Sequence, residues 1–465
     1  MKGERVEVAV IGSGPGGVTA ACALAEAGRE VLVLEEGPEV PPGSIPTYSR
    51  GEMLTCYRNA GLTVALGNPK VAYVEGRCVG GGSEVNGGLY HRTPDAVLGE
   101  WARDYGLLGA RPEQLAPHFE AVEADLGVTL EAGEPAPSSL RLAAGAEALG
   151  WSVVEVPRWF RQDDAGQPVR QSMSRTLIPR LRAAGGRVRA DSRVTRVRRE
   201  RDEWLLEGER LALRAKSVFV AGGAIQSPLL LRRSGLAPRA GKRLGLQTMT
   251  KVVARFSEPV TPRGSGIPVH QVKERGPRIG LGGSIATPEH VSLALIDHPG
   301  ELPRACAEPE RYAIYYAVVR GGRGSVQPLP GFRDPLVRYR LDERDLADLA
   351  LGQRDLCQAL LAGGAEALFP CWAGAPVVRG PDDLRRLPDS LPRGKANLFS
   401  VHLTSSCPMG EGTACVTDSY GRVHGCEGLY VSDASLLCEP PGVNPQGSVM
   451  AFARRNALRF LEARA

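Results

Sequence analysis

The run Val6-Glu7-Val8-Ala9-Val10-Ile11-Gly12-Ser13-Gly14-Pro15-Gly16-Gly17 reads as a buried strand ending in a tight glycine turn, and Val18 to Ala27 continues it as an alanine-rich helix stopped by Gly28. Val31-Leu32-Val33-Leu34 then returns as a second strand. In this strand-turn-helix-strand order, Gly12 permits the turn, Gly14 lets main chain approach a pyrophosphate, and Gly17 lets helix and strand pack closely. The helix N-terminus offers free N–H donors and positive potential to phosphates. Glu35 closes the second strand 18 residues after Gly17. A carboxylate there accepts hydrogen bonds from ribose hydroxyls and repels a 2′-phosphate, so a dinucleotide site that disfavours NADP is predicted.

Working outward, a chain of 465 residues is long for one core, which predicts two or three lobes. A composition of 43% hydrophobic and 23% charged residues is that of a soluble globular protein. The net charge is +5, and the 57 basic residues comprise 7 lysines and 50 arginines dispersed along the chain, so nucleic acid is not an expected partner. Ten cysteines without a C-x-x-C pair fit reduced, buried thiols and a cytoplasmic setting, and their spacings match no zinc pattern, so no metal is expected. Neither a signal peptide nor an apolar stretch of about 18 residues is legible, so no membrane span is expected.

A Pro-rich loop from Pro38 to Pro46 precedes a second glycine block, Gly76-Arg77-Cys78-Val79-Gly80-Gly81-Gly82-Ser83-Glu84-Val85-Asn86-Gly87-Gly88. Its glycines bring main chain close to a ligand, Ser83 and Asn86 offer hydrogen bonds, and its apolar context sets it apart from an exposed loop. Trp101 to Asp125 is predicted helical, with Leu107, Leu115, Phe119 and Val122 facing the core. Residues 131 to 139 read as a linker and Ser172 to Ala184 as a helix. Val188 to Ala190 and Val194 to Val197 read as strands, and Val218 to Ala224 as a buried strand entering another tight turn. From about 250 to 395 the pattern changes to alternating strands such as Lys251 to Phe256 and Tyr312 to Val319, which predicts a mostly antiparallel sheet. The expected fold class is therefore α/β. A discontinuous Rossmann-like nucleotide domain takes 1–110, 172–250 and 396–465, and an α+β substrate lobe takes 111–171 and 251–395.

With these blocks in order, the chain resembles the glucose-methanol-choline (GMC) family of FAD-dependent oxidoreductases, and within it the bacterial cholesterol oxidase-like branch. The resemblance rests on Val10 to Gly17, on Val79 to Gly88, and on Ala221-Gly222-Gly223-Ala224-Ile225-Gln226-Ser227-Pro228. It rests also on Tyr430-Val431-Ser432-Asp433-Ala434-Ser435 followed by Asn444-Pro445. It implies that Gly12, Gly14, Gly17 and Glu35 hold the ADP half of FAD, with the backbone of Val194 at the adenine. Gly81, Ser83 and Asn86 would lie along the pyrophosphate and flavin, and Asp433 and Ala434 at the ribityl-phosphate. Pro445 and Gln446 would bring a backbone N–H to the flavin's pyrimidine oxygen, stabilising the charge of the reduced ring. Relatives with covalent flavin carry a histidine in the second glycine block, where this chain has Ser83-Glu84-Val85-Asn86, so noncovalent FAD is expected.

The same resemblance implies that His402 and Asn444 are catalytic. A neutral imidazole suits removal of a hydroxyl proton, and a carboxamide N–H holds the substrate oxygen while the carbon gives up hydride. His118, His270, His290 and His298 read as structural, with His91 and His424 as weaker candidates for the base. The chain departs from its relatives in reading His402-Leu403-Thr404-Ser405-Ser406-Cys407-Pro408-Met409-Gly410 where they read His-x-x-Gly-Thr-x-x-Met-Gly. It also has Gln247 where many carry a histidine. Oxidation of a small-molecule alcohol is the expected activity, with oxygen, a quinone or a redox protein as electron acceptor. A non-redox lyase resembling the hydroxynitrile-cleaving branch is the alternative.

Overall fold

The fold is given by a computed structural model describing residues 4–130, 133–163, 168–209 and 211–463. Strand β1 (Glu4–Ile11) runs into helix α1 (Pro15–Glu26) and strand β2 (Val31–Leu34), the unit expected from the opening sequence. The helix begins at Pro15, inside the glycine run, because proline's fixed φ suits a first helical position. β1 pairs in parallel with β2 on one side and with Leu211–Val220 on the other. Arg187–Arg189 extends the sheet beyond β2, and Leu429–Val431 pairs in parallel with Leu211–Val220, so three distant stretches of the chain build one sheet. Val8, Val10, Val31 and Val33 are buried between its helices, which is why these strands read as unbroken apolar runs.

The second sheet is built on the long strand Gly245–Arg255, paired antiparallel with Tyr312–Arg320 from Gln247↔Arg320 to Arg255↔Tyr312. It is mostly antiparallel, as expected, with one parallel pair between Leu398–Ser400 and Val71–Tyr73. The helix Glu343–Ala362 packs on it through Leu346, Leu349, Leu356 and Leu360. Chain divisions at 110, 250 and 395 are sharper than the sheets themselves. Thr63–Ala65, Val71–Tyr73, Leu398–Ser400 and Leu403–Thr404, from segments assigned to the nucleotide domain, all hydrogen-bond into the second sheet.

Several predicted elements are corrected. The single helix over 101–125 is two, Asp95–Tyr105 and Pro112–Leu126, because Gly106 ends the first in a left-handed conformation (φ 63°) and Pro112 starts the second. Its expected core residues Leu107, Leu115, Phe119 and Val122 are buried. The 131–139 linker ends in helix Pro137–Ala148, whose Leu142 and Ala146 are buried, while residues 131 and 132 lie outside the described residues. The helix over 172–184 is confined to Leu177–Ala183, and the strand sought at 194–197 is Arg196–Glu200, leaving Val194 just ahead of it. Among the described residues no helix is long and apolar enough to cross a membrane.

Candidate active site

A cavity of about 1020 Å³ lies between the two sheets, and the glycine turns open onto it. Added side chains at Gly12, Gly16 and Gly17 would place a Cβ 2.2, 2.3 and 2.2 Å from the backbone oxygens of Ala221, Ser432 and Gly12, so these three are glycines for packing. At Gly14, Gly82 and Gly223, all on the cavity wall, a Cβ would meet nothing within 4 Å. That open front, at the uncapped N-terminus of α1, is a cradle a side chain would fill, and it fits the pyrophosphate of a dinucleotide. The flavin expectation thus passes on shape: Gly81, Asn86, Val194, Ala434, Pro445 and Gln446 line the same cavity. The helix Gln446–Glu462 begins on the wall without a side-chain cap, leaving first-turn N–H groups for an acceptor.

The polar anchors of this half are more occupied than the sequence suggests. Glu35 accepts from Ser13 N–H (3.0 Å), the Ser13 hydroxyl (2.7 Å) and Gly37 N–H (2.9 Å), and burial pushes its carboxyl above the usual range. Ser13 also accepts from Gly80 N–H (3.0 Å), which ties the two glycine blocks together. Glu35 also lines the cavity, and its hydrogen bonds give it a structural role there. Asp433 accepts from Gly223 N–H (2.8 Å), Ser435 N–H (2.8 Å) and the hydroxyls of Ser227 and Ser435. Its carboxylate is filled by protein, so contact with a ribityl-phosphate is left to its backbone. Ser83 departs from expectation. Its buried hydroxyl donates to Gly80 O (2.8 Å) and accepts from Met173 N–H (3.0 Å), off the cavity wall, because the turn Gly81–Glu84 aims it inward.

His402 and Asn444 are brought together, with Asn444 Nδ2 3.2 Å from His402 Nε2. On the other ring nitrogen, Gln247 Nε2 lies 2.7 Å from His402 Nδ1. The Gln247 amide is oriented by main chain, accepting from Gly442 N–H (2.7 Å) and donating to Val443 O (3.0 Å). The ring therefore meets an amide nitrogen on each side, an arrangement that opposes the doubly protonated imidazolium, while the neutral ring keeps one N–H and one acceptor nitrogen. Burial, aided by the Lys273 charge, lowers the His402 pKa to about 4. Burial thus favours the neutral imidazole, which accepts at one ring nitrogen.

Sequence reasoning missed the next layer. Gln271 Nε2 reaches Asn444 Oδ1 (3.4 Å) and the Tyr316 hydroxyl (3.3 Å), and Lys273 Nζ donates to Gln271 Oε1 (2.6 Å). The available signal was two-residue alternation, which puts Gln271 and Lys273 on one face of a strand end and Gln247, Met249 and Lys251 on one face of Gly245–Arg255. His91 also approaches Asn444, and burial lowers its pKa to about 3. His118, His270 and His298 are bonded to Arg454, Ser139 and Pro370 O, as structural residues. His290 bonds Thr287 at the far wall, and His424 lies off the cavity.

The chain matches the model described as GMC oxidoreductase over residues 53–249 and 327–453, and that of an NAD(P)-binding Rossmann-like domain over residues 10–69. It is 36% identical to an uncharacterized GMC-type oxidoreductase of Sinorhizobium fredii, over 97% of this chain and 94% of that one. It is 26% identical to a long-chain-alcohol oxidase of Arabidopsis thaliana, over 97% of this chain and 67% of that one. The crystal structure of pyridoxine 4-oxidase from Mesorbium loti shares the fold, with a TM-score of 0.76 at 19% identity, covering 98% of this chain and 99% of that one.

Proposed function

The chain belongs to the GMC oxidoreductase family, and from that premise we propose that it oxidises a small-molecule alcohol to the aldehyde or ketone using noncovalently held FAD. As an oxidoreductase of CH–OH groups it needs a base, a holder for the substrate oxygen and a hydride acceptor. The observation that carries the reading is the 3.2 Å pairing of His402 with Asn444 on the wall of the cavity onto which the glycine turns open. When bound, FAD supplies the hydride acceptor. His402 takes the hydroxyl proton on an unprotonated ring nitrogen, and Asn444 Nδ2 donates to the same oxygen and fixes its position. As alkoxide character builds, the adjacent C–H becomes a better hydride donor, a contribution typically worth about 10²- to 10⁴-fold in rate. Gln247 keeps the ring from turning, and the apolar walls at Met249, Leu281 and Val318 keep water from the transferring proton. Glu35 and the open front at Gly14 favour a dinucleotide without a 2′-phosphate. The absence of a histidine at Ser83-Glu84-Val85-Asn86 supports noncovalent attachment. Ten free thiols, most of them buried, agree with a cytoplasmic setting.

The test is an anaerobic alcohol panel read by flavin absorbance. The purified protein should be yellow, should release its flavin on acid precipitation, and should bleach with at least one alcohol class. A fully loaded enzyme that no alcohol bleaches, but that cleaves a cyanohydrin, would replace this reading with the lyase.

A further inference from the structure

Lys273 stands out on charge. Of the seven lysines, Lys70, Lys251 and Lys273 line the cavity, and no lysine forms an ion pair among the described residues. The four carboxylates on the cavity wall are committed elsewhere: Glu35 to Ser13 and Gly37, Glu36 and Glu75 to Arg58, and Asp433 to Ser227, Ser435 and Gly223. None of them faces the base. The ammonium of Lys251 lies 4.4 Å from the centre of the Phe399 ring, and roughly 13 Å of strand separates Lys251 from Gln247. Among the described residues Lys273 has no ring and no acid beside it. Its hydrogen-bond partner among the described residues is the neutral Gln271 Oε1, and Gln271 in turn touches Asn444. Burial lowers its pKa to about 8, the cost of a cation without a counter-charge. Lys251, Gln271, Lys273 and Tyr316 fall between residues 249 and 327, outside the stretches that match the family.

We propose that the alcohol substrate carries a carboxylate, and that Lys273 Nζ, which shares the Gln271 amide with the Tyr316 hydroxyl, binds it within one side chain's reach of Asn444. The proposal rests on the alcohol-oxidising reading and adds the class of alcohol. A carboxylate supplies the missing counter-charge, and the Tyr316 hydroxyl, which accepts from Gln271, retains its own proton to donate. A single ammonium with a phenol suits a monoanion, whereas a phosphate dianion calls for guanidinium forks that this half of the cavity lacks. The closeness of Gln271 to Asn444 requires a short spacer between hydroxyl and carboxylate, and the apolar walls suit an aryl or alkyl one.

Two readouts on the flavin-loaded enzyme test it. In the first, kcat/KM is compared for 4-(hydroxymethyl)benzoate and its neutral amide. In the second, benzoate and benzamide are titrated as dead-end ligands against the flavin spectrum. Wild type should favour the anion in both by ~10- to 100-fold, the worth of a charge-assisted contact. Lys273→Met should bring the ratios to about one, Lys273→Arg should keep most of the preference, and Lys251→Met should leave the ratios in place. Equal affinity for benzoate and benzamide in wild type overturns the proposal even if Lys273→Met fails to fold. So does a ratio that follows Lys251 instead, or a preference for 4-(hydroxymethyl)phenyl phosphate over the carboxylate. Benzoate binding that depends on Lys273, in an enzyme no alcohol reduces, would sink the oxidation reading alone. Oxidation of alcohols without preference for the anion would sink this one alone.

Discussion

At the scale of single residues the chemistry is a question of who may hold a proton. His402 has a pKa near 4, below imidazole's usual value, because burial and the Lys273 charge disfavour the cation. The sign follows: the base is competent above that pH and is lost as pH falls through it, so the acid limb of kcat/KM should lie near 4 rather than near 6.5. A limb at 6.5 would mean a different base. Gln247→Glu puts a carboxylate against Nδ1 in place of an amide, which stabilises the imidazolium, so the acid limb should move up by at least one pH unit. A variant that lowers the rate without moving the limb would reduce Gln247 to scaffolding. His402→Ala should keep its flavin while kcat drops by ~10²- to 10⁴-fold. His402 and Asn444 were legible because a family pattern fixes their surroundings. Gln271, Lys273 and Tyr316 were not, since strand polar residues declare their face only once register is known.

Individual elements show where local sequence suffices. The glycine turn does, because each glycine answers a distance: Gly17 a backbone oxygen 2.2 Å away, Gly14 an empty front. Gly17→Ala should therefore destabilise the protein with or without flavin, at the upper end of the ~1–3 kcal/mol typical of overpacking. Gly14→Ser leaves the helix a good N-cap at an ordinary backbone angle (φ −68°) and fills only the cradle. Its flavin-free thermal midpoint should match the parent's, while FAD reconstitution measured by flavin fluorescence weakens by tenfold or more. Equal FAD affinity in Gly14→Ser would remove the pyrophosphate from that front. The elements misread were those whose ends are set by one residue against periodicity. Gly106 split a helix that the apolar spacing runs straight through, and Pro137 began one in a stretch whose composition reads as linker.

For the whole molecule, the site exists only because distant segments close on each other. Ser432 donates its hydroxyl to Gly16 O (3.1 Å), Asn86 Nδ2 donates to Gln446 Oε1 (2.7 Å), and Leu429–Val431 completes the first sheet beside Leu211–Val220. The parallel sheet was legible, since its strands are continuous apolar runs. The lacing of Val71–Tyr73 and Leu398–Ser400 into the second sheet was not, because three-residue strands carry too little pattern to announce a partner hundreds of residues away. A ligand seated on both glycine blocks and on the start of Gln446–Glu462 binds the folded state alone, so free FAD at a hundred times its Kd should add about 2.7 kcal/mol of stability. Hydrogen exchange resolves how that stability is distributed. Removing FAD should deprotect Gly76 to Gly88 and Gly442 to Gln446 together, although more than 350 residues separate them, while Gly245–Arg255 and Tyr312–Arg320 keep their protection from strand pairing. Deprotection of the N-terminal block alone would mean that the flavin is held by one segment and that the tail merely covers it.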